Sequence, residues 1–454
     1  MSKSMVLIRP LALLCLLLPL MIRTGHAAPP NIVLLLSDDM AWTDYGFMGH
    51  PDIQTPNLDK LAAEGVVFPR GYVPTGLCRP ALATLLTGHY ASTHGVTGND
   101  PSPKYAAKDS DLFNQRRAKL ISYLQRFETL PQALGKAGYL SHQSGKLWEG
   151  SYQYAGFTHG MTQGFPNKGG RHGDVGLKIG REGIQPVDDF LDIAVQEEKP
   201  FFLWYAPFLP HAPHNPPQRL LDKYKNGRPL TVAKYYAMCE WFDETAGQVM
   251  DSLKSRGLDE NTLVVYLTDN GWIQDPEKSG YAPRSKQTPY EGGVRTPIIY
   301  WMPGKIQPSR RSELATSLDI VPTMLAAAGA TAPADLPGLN LMPNLTNGTP
   351  IARDTIFGES FAHDIADIEN PQASLLYRWC IEGKWKLLLT YDGEVNRYKS
   401  THPRTEKGPQ LFDLNADPTE LVNLAKDHPE VVKRLAQKIN DWYPVTERKT
   451  VLVP

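Results

Sequence analysis

Four short runs of apolar, mostly branched or aromatic residues recur along the chain. They are "NIVLLLS" over 31–37, "FFLWYA" over 201–206, "TLVVYLT" over 262–268 and "PIIYWM" over 297–302. None alternates apolar with polar positions, which predicts strands covered on both faces. "GYLSHQ" over 138–143 predicts a further, shorter strand. Segments with helical spacing stand between them. "TPNLDKLAAEG" over 55–65 offers Thr55 as a cap, Pro56 for the first turn and Gly65 as a stop. A longer helix is expected from about Thr231 to Arg256, and another opened by Pro80 and closed by Gly88. Strands buried on both faces and alternating with helices predict an α/β fold, a large mostly parallel sheet sandwiched by helices.

A Pro/Gly-rich stretch over 331–350 reads as a boundary. Beyond it, "KWKLLLTYDG" reads as an antiparallel strand and "PEVVKRLAQKINDWY" as a final helix. The expected organisation is a main domain over 28–340 and a small C-terminal α+β subdomain over 341–454. Residues 1–27 read as a signal peptide: Lys3 and Arg9, the apolar "LALLCLLLPLMI", then "GHA" before Ala28. That apolar run is shorter than the ~20 residues a membrane span needs. The mature chain is therefore expected to be secreted or periplasmic, with no stable membrane span after cleavage.

Composition narrows the partners. Charged residues make up 21% of the chain and the net charge is −1, so no basic excess points to nucleic acid. Any anion binding has to be local. Cleavage would leave Cys78, Cys239 and Cys380, an odd number, so at least one thiol stays unpaired. Cys239 and Cys380 sit in apolar patterns and are expected to be small buried residues.

Polar residues follow the strand candidates. Asp38 and Asp39 come after the first, Asp269 and Asn270 after "TLVVYLT", His211 and His214 after "FFLWYA", and Lys146 after "GYLSHQ". In an open parallel sheet such positions share the crevice at the carboxyl ends of the strands. The four Asp/Asn side chains offer only oxygen donors, which suits Ca²⁺ or Mg²⁺ rather than zinc. Lys146, His211 and Lys286 beside that ion would hold a tetrahedral oxyanion. His214 and His94 read as rim or structural residues. Cys78 precedes a helix start, where unpaired N–H groups favour anions and would lower a thiol pKa.

Together the stretches "NIVLLLSDDMAWTDYG", "CRPALATLLTG", "GYLSHQSGKLW", "PHAPH", "LVVYLTDNG", "KQTPYEGGVRTP" and "LFDLNADPTELVNLA" resemble the formylglycine-dependent (type I) sulfatases of the alkaline-phosphatase-like superfamily. The resemblance implies one Ca²⁺ per chain, held by Asp38, Asp39, Asp269, Asn270 and the modified Cys78. It implies that a formylglycine-generating enzyme converts Cys78 to an aldehyde, whose hydrate takes sulfate from the ester and then releases it. It also implies that Lys146, His211 and Lys286 hold the sulfate and help the leaving group, with His214 among the substrate contacts. The substrate it implies is a sulfated carbohydrate or similar ester. A phospho- or phosphonate-ester hydrolase on the same fold is one alternative, and a non-catalytic protein that binds sulfated glycans is another.

Two positions depart from the family pattern. The arginine expected four residues after Cys78 is Leu82, and the histidine expected two residues after Lys146 is Trp148. Arg79 is expected to fold back in place of the first, and Glu149 to serve as proton acceptor in place of the second.

Overall fold

The apolar runs line up in one eight-stranded sheet. In a computed structural model, which describes residues 28–391, 396, 398 and 408–445, its strands are β1 (Asn31–Ser37), β2 (Val66–Phe68), β3 (Leu140–Gly145), β4 (His159–Gly160), β5 (Phe201–Ala206), β6 (Thr262–Thr268), β7 (Ile298–Trp301) and β8 (Ser309–Arg310). The expected signal segment lies outside the described residues. Their order is β8-β2-β7-β6-β1-β5-β3-β4. Neighbours run parallel except at β7, which is antiparallel to both β2 and β6. Leu34 in β1 lies between Trp204 and Val265 in the central register.

Every residue of β1, β5 and β6 is buried, and the strand period explains why the runs are unbroken. Ile32, Leu34 and Leu36 point into one core, Val33 and Leu35 into another. Helix α1 (Pro56–Glu64), α3 (Gln185–Gln196) and α4 (Leu230–Ser255) cover the second core through Leu58, Phe190, Phe242 and Val249. Helix α2 (Cys78–Thr87) covers the first through Leu82, Leu85 and Leu86. Gly88 closes α2 as expected, in the left-handed region at φ 75° with its N–H on the Thr84 carbonyl at 2.7 Å. Thr55 does not cap α1. Its hydroxyl accepts from the Gly46 N–H and donates to Asp59, fastening the helix to the preceding turn instead. No helix among the described residues is long and apolar enough to cross a membrane.

Past residue 350, β9 (Thr355–Phe361), β10 (Leu375–Glu382), β11 (Trp385–Thr390) and β12 (Gln410–Asp413) form an antiparallel sheet in sequence order. Helix α5 (Pro429–Trp442) lays Val432, Leu435 and Ile439 on Cys380, Leu387 and Leu411. Cys239 and Cys380 are free and buried, as their surroundings in the sequence imply. Buried Lys386 on β11 pairs with Glu291 and Glu420, each at 2.9 Å, which ties the small sheet to a loop of the main domain.

Gly145 ends β3 at φ 86°, where a Cβ would stand 1.8 Å from the Ala206 carbonyl oxygen. The missing side chain lets β3 and β5 close up just before Lys146. Gly145→Ala is expected to cost at least about 2 kcal/mol by combined backbone strain and overlap. A thermal-unfolding midpoint unchanged from the parent would contradict this.

Candidate active site

Because β1, β3, β5 and β6 are parallel, their carboxyl ends lie along one edge of the sheet. Asp38 and Asp39 follow β1, Lys146 follows β3, His211 lies in the loop after β5, and Asp269 and Asn270 follow β6. The reversed direction of β7 matters here. It starts at the edge where β6 ends, so the loop before it delivers Lys286 to the same place. Cys78, the first residue of α2, completes the group.

The contacts are short and the groups buried. Lys146 Nζ donates to both Asp38 oxygens at 2.7 and 2.6 Å. Lys286 Nζ donates to both Asp39 oxygens at 2.5 and 2.7 Å and to Cys78 Sγ at 3.0 Å. Cys78 Sγ is 3.8 Å from Asp38 and 3.9 Å from Asp39. Asp39 adopts φ 69°, a conformation costing a non-glycine residue about 1–3 kcal/mol. Its N–H on Asp269 Oδ1 at 3.1 Å and the Asn270 amide on its own Oδ1 at 2.6 Å hold it there. His211 Nδ1 donates to the Ala212 carbonyl at 2.6 Å, so its Nε2, 3.4 Å from Asp39, carries the lone pair.

Burial and the charge of Asp269 push the Asp38 carboxyl up to about 6, against the pull of Lys146. Burial would raise Asp39 too, but Lys286, His211 and Lys146 together outweigh it and hold that carboxyl well below its usual range. Burial also keeps His211 neutral, at about 4. The thiol departs from expectation. Burial drives Cys78 well above the ordinary thiol range despite Lys146 and Lys286, so the helix start does not make it a thiolate.

These residues fit a divalent cation. Asp269 Oδ2 and Asn270 Oδ1 are buried without hydrogen-bond partners, as atoms reserved for a ligand would be. Ligand atoms of Asp38, Asp39, Cys78 and His211 lie within 4.8 Å of one another. Three carboxylates face two lysines here, leaving a negative balance, and the oxygen donors favour a hard ion.

Of the remaining expected residues, His214 sits slightly apart. Its ring packs on Tyr235 at 5.5 Å and Trp272 at 5.8 Å, and its buried Nε2 has no partner. His94 lies near the far end of α2, beside the Thr84 hydroxyl at 3.3 Å.

The two departures are resolved differently from expectation. Leu82 belongs to the apolar core. Arg79 does not turn to the carboxylates: it forks onto both oxygens of Glu149 at 2.6 and 2.9 Å and reaches the Asn99 carbonyl at 3.0 Å. Both Glu149 oxygens are thereby paired with Arg79. Loops also bring Asn99, Asp100, Arg171 and His172 beside this pair, where no strand pattern in the sequence marked them.

Two measurements test the site. A divalent cation at a hundred times its Kd is expected to stabilise the protein by about 2.7 kcal/mol, and Asp269→Ala to remove that gain. Thermal unfolding with Ca²⁺ and then with chelator reads both, and identical curves would rule out the ion. Arg79→Ala, which strands a buried carboxylate, is expected to cost about 3 kcal/mol in urea unfolding, with partial recovery on adding Glu149→Ala. A loss below about 1 kcal/mol would show that the pair is not structurally coupled.

Comparison with known proteins agrees with this geometry. A family described as Sulfatase matches residues 30–330, and the C-terminal family of N-sulphoglucosamine sulphohydrolase matches residues 284–443. N-acetylgalactosamine-6-sulfatase of Homo sapiens is 32% identical over 92% of this chain and 86% of its own. A solved protein in complex with its substrate D-glucosamine-2-N,6-O-disulfate superposes with a TM-score of 0.68 at 20% identity, over 91% of this chain and 97% of its own. The phosphonate monoester hydrolase of Agrobacterium radiobacter shares the fold at a TM-score of 0.66 and 20% identity, over 91% and 95%. With carboxylates, lysines and Cys78 gathered at the sheet edge and a family match over most of its length, the chain belongs to the sulfatases, sulfuric ester hydrolases of the alkaline-phosphatase-like superfamily.

Proposed function

We propose that this sulfatase removes sulfate from a sulfated carbohydrate, using a formylglycine made from Cys78. One Ca²⁺ would be held by Asp38, Asp39, Asp269 and Asn270, with the modified side chain as a further ligand. The observation that carries the reading is Lys286 Nζ at 3.0 Å from Cys78 Sγ while also bound to Asp39, which joins the nucleophile position to the ion site. The catalytic domain would span 28–340 and the small subdomain 341–454. Export to the periplasm or outside, and maturation by a formylglycine-generating enzyme, complete the proposal.

The hydrated aldehyde, when formed, supplies an oxygen nucleophile and a second hydroxyl for releasing the sulfate. The chain's own groups do the rest. Lys146 and Lys286 are fixed by carboxylates with little freedom to reorganise, so they can neutralise charge on the sulfate oxygens as it shifts. Neutral His211 has a lone pair at Nε2, so it must first take up a proton there before it can give one to the leaving oxygen. His214 would line the substrate side.

Charge balance supports a singly charged ester. Two lysines and a divalent ion against three carboxylates leave one positive charge, which matches a sulfate monoester better than a dianionic phosphate monoester. Phosphonate esters are also monoanions, so sulfate and phosphonate esters are to be assayed side by side.

Conversion of Cys78 to formylglycine is expected to lower the mass of the tryptic peptide 71–104 by about 18 Da in a host that modifies sulfatases. Cys78→Ala is expected to lower kcat/KM on sulfate esters by more than about a thousandfold. An unshifted peptide together with metal-dependent glycan binding and no turnover would instead make the protein a binding module.

A further inference from the structure

A second cationic surface stands next to the sulfate pocket and has no part in the steps above. Its floor is Trp148, the residue found where the family pattern has histidine. The indole is 4% exposed, and the guanidinium of Arg79 lies 5.8 Å and that of Arg171 4.6 Å from its ring centre. Arg171 directs Nε and Nη2 to one oxygen of Asp100, each at 2.7 Å, and Asp100 is shared with Arg117. Arg79 is matched by Glu149. Three guanidiniums therefore face two carboxylates, and one positive charge is left over. The side chains of Arg79 and Arg117 are 1% and 9% exposed, whereas that of Arg171 is 38% exposed, so the surplus charge is presented at Arg171. Among the described residues no hydrogen bond engages its Nη1.

His172 connects this surface to the catalytic groups. Its ring packs on Trp148 at 5.2 Å and on Phe208 at 5.3 Å. Phe208 in turn lies 5.4 Å from Lys146 Nζ and stacks on His211 at 4.2 Å. A single aromatic ring thus separates His172 from the groups proposed to hold the scissile sulfate, and Arg171 lies beyond His172 on the face of Trp148. The Leu147 N–H donates to the His172 carbonyl at 3.3 Å, which pins this loop beside Lys146. His172 Nδ1 is buried with no hydrogen-bond partner, an uncommon state for a polar atom. A guanidinium stacked on an indole and braced by a carboxylate is pre-organised to bind a second planar or tetrahedral anion, as a mobile lysine would not be.

We propose that Trp148, Arg171 and His172 form a subsite for a second acidic substituent of the substrate, a sulfate or a carboxylate on the same or the adjoining sugar. The subsite selects multiply charged glycans over singly sulfated ones. This deepens the sulfated-carbohydrate reading and rests on it.

Calorimetric binding to the full chain tests the subsite without requiring turnover. One pair of probes is glucosamine 6-sulfate and D-glucosamine-2-N,6-O-disulfate. The other is N-acetylgalactosamine 6-sulfate alone and linked to glucuronate. The doubly charged member of at least one pair is expected to bind about tenfold tighter, the gain of one charge-assisted contact. Preference in the first pair assigns the subsite to sulfate, and in the second to carboxylate. Arg171→Gln is expected to bring the ratio to about one, and Arg171→Lys to restore part of it. Should Arg171→Gln fail to fold, His172→Asn, which leaves the ion pairs intact, is expected to lower the ratio about threefold. Equal binding of both members in both pairs, or a ratio that survives these substitutions, overturns the subsite. Hydrolysis of 4-nitrophenyl sulfate with no such ratio would remove the subsite and keep the sulfatase reading. The ratio without turnover of any sulfate ester would do the reverse.

Discussion

Three carboxylates and two lysines are buried together at the carboxyl edge of one parallel sheet, and the rest of the site is arranged around the cost of keeping them there. Charges are expensive to bury unless each is paired and hydrogen-bonded. Lys146 answers Asp38, and Lys286 answers Asp39. Asp269 Oδ2, with only Lys146 at 3.9 Å, and Asn270 Oδ1 accept no hydrogen bond, which marks the direction from which a cation would be held. The strained backbone at Asp39 belongs to the same arrangement, because extended φ would not bring its N–H onto Asp269.

The small C-terminal sheet takes part in this balance. Lys386 is wholly buried between Glu291 and Glu420, and the Tyr72 hydroxyl donates to Glu291 at 3.0 Å. Arg284, two residues before Lys286, donates to the Glu420 carbonyl. The loop that carries Lys286 is therefore braced from behind by charges of the other sheet. Removing one member would leave a buried charge without its partner, so the two sheets are energetically joined near the reacting groups.

The two departures from the family pattern show how a local loss is absorbed. Leu82 adds to the apolar core what an arginine there would withhold from it. The charge reappears at Arg79, but it is committed to Glu149, not to the carboxylates beside Cys78. Trp148 cannot exchange a proton as a histidine would, yet its face carries Arg79, Arg171 and His172. The same substitution that removes one imidazole thus builds a wall on which another is seated.

Much of this was legible in the residues themselves. Short unbroken apolar runs rich in branched residues read as strands buried on both faces, and polar residues placed directly after such strands share an edge if the strands are parallel. Asp38, Asp39, Lys146, Asp269 and Asn270 follow from that logic without any knowledge of loops, whereas Lys286 precedes a strand and reaches the same edge only because β7 runs antiparallel. The loop-borne groups do not. Arg171 and His172 lie in a segment with no strand or helix period, and only packing against Gly145, Trp148 and Phe208 brings them to the site. Nor does the sequence reveal that Arg79 would choose Glu149, or that Cys78 would be a buried thiol rather than a thiolate. Those outcomes depend on desolvation and on the distances between charges, quantities that exist only once the chain has closed around them.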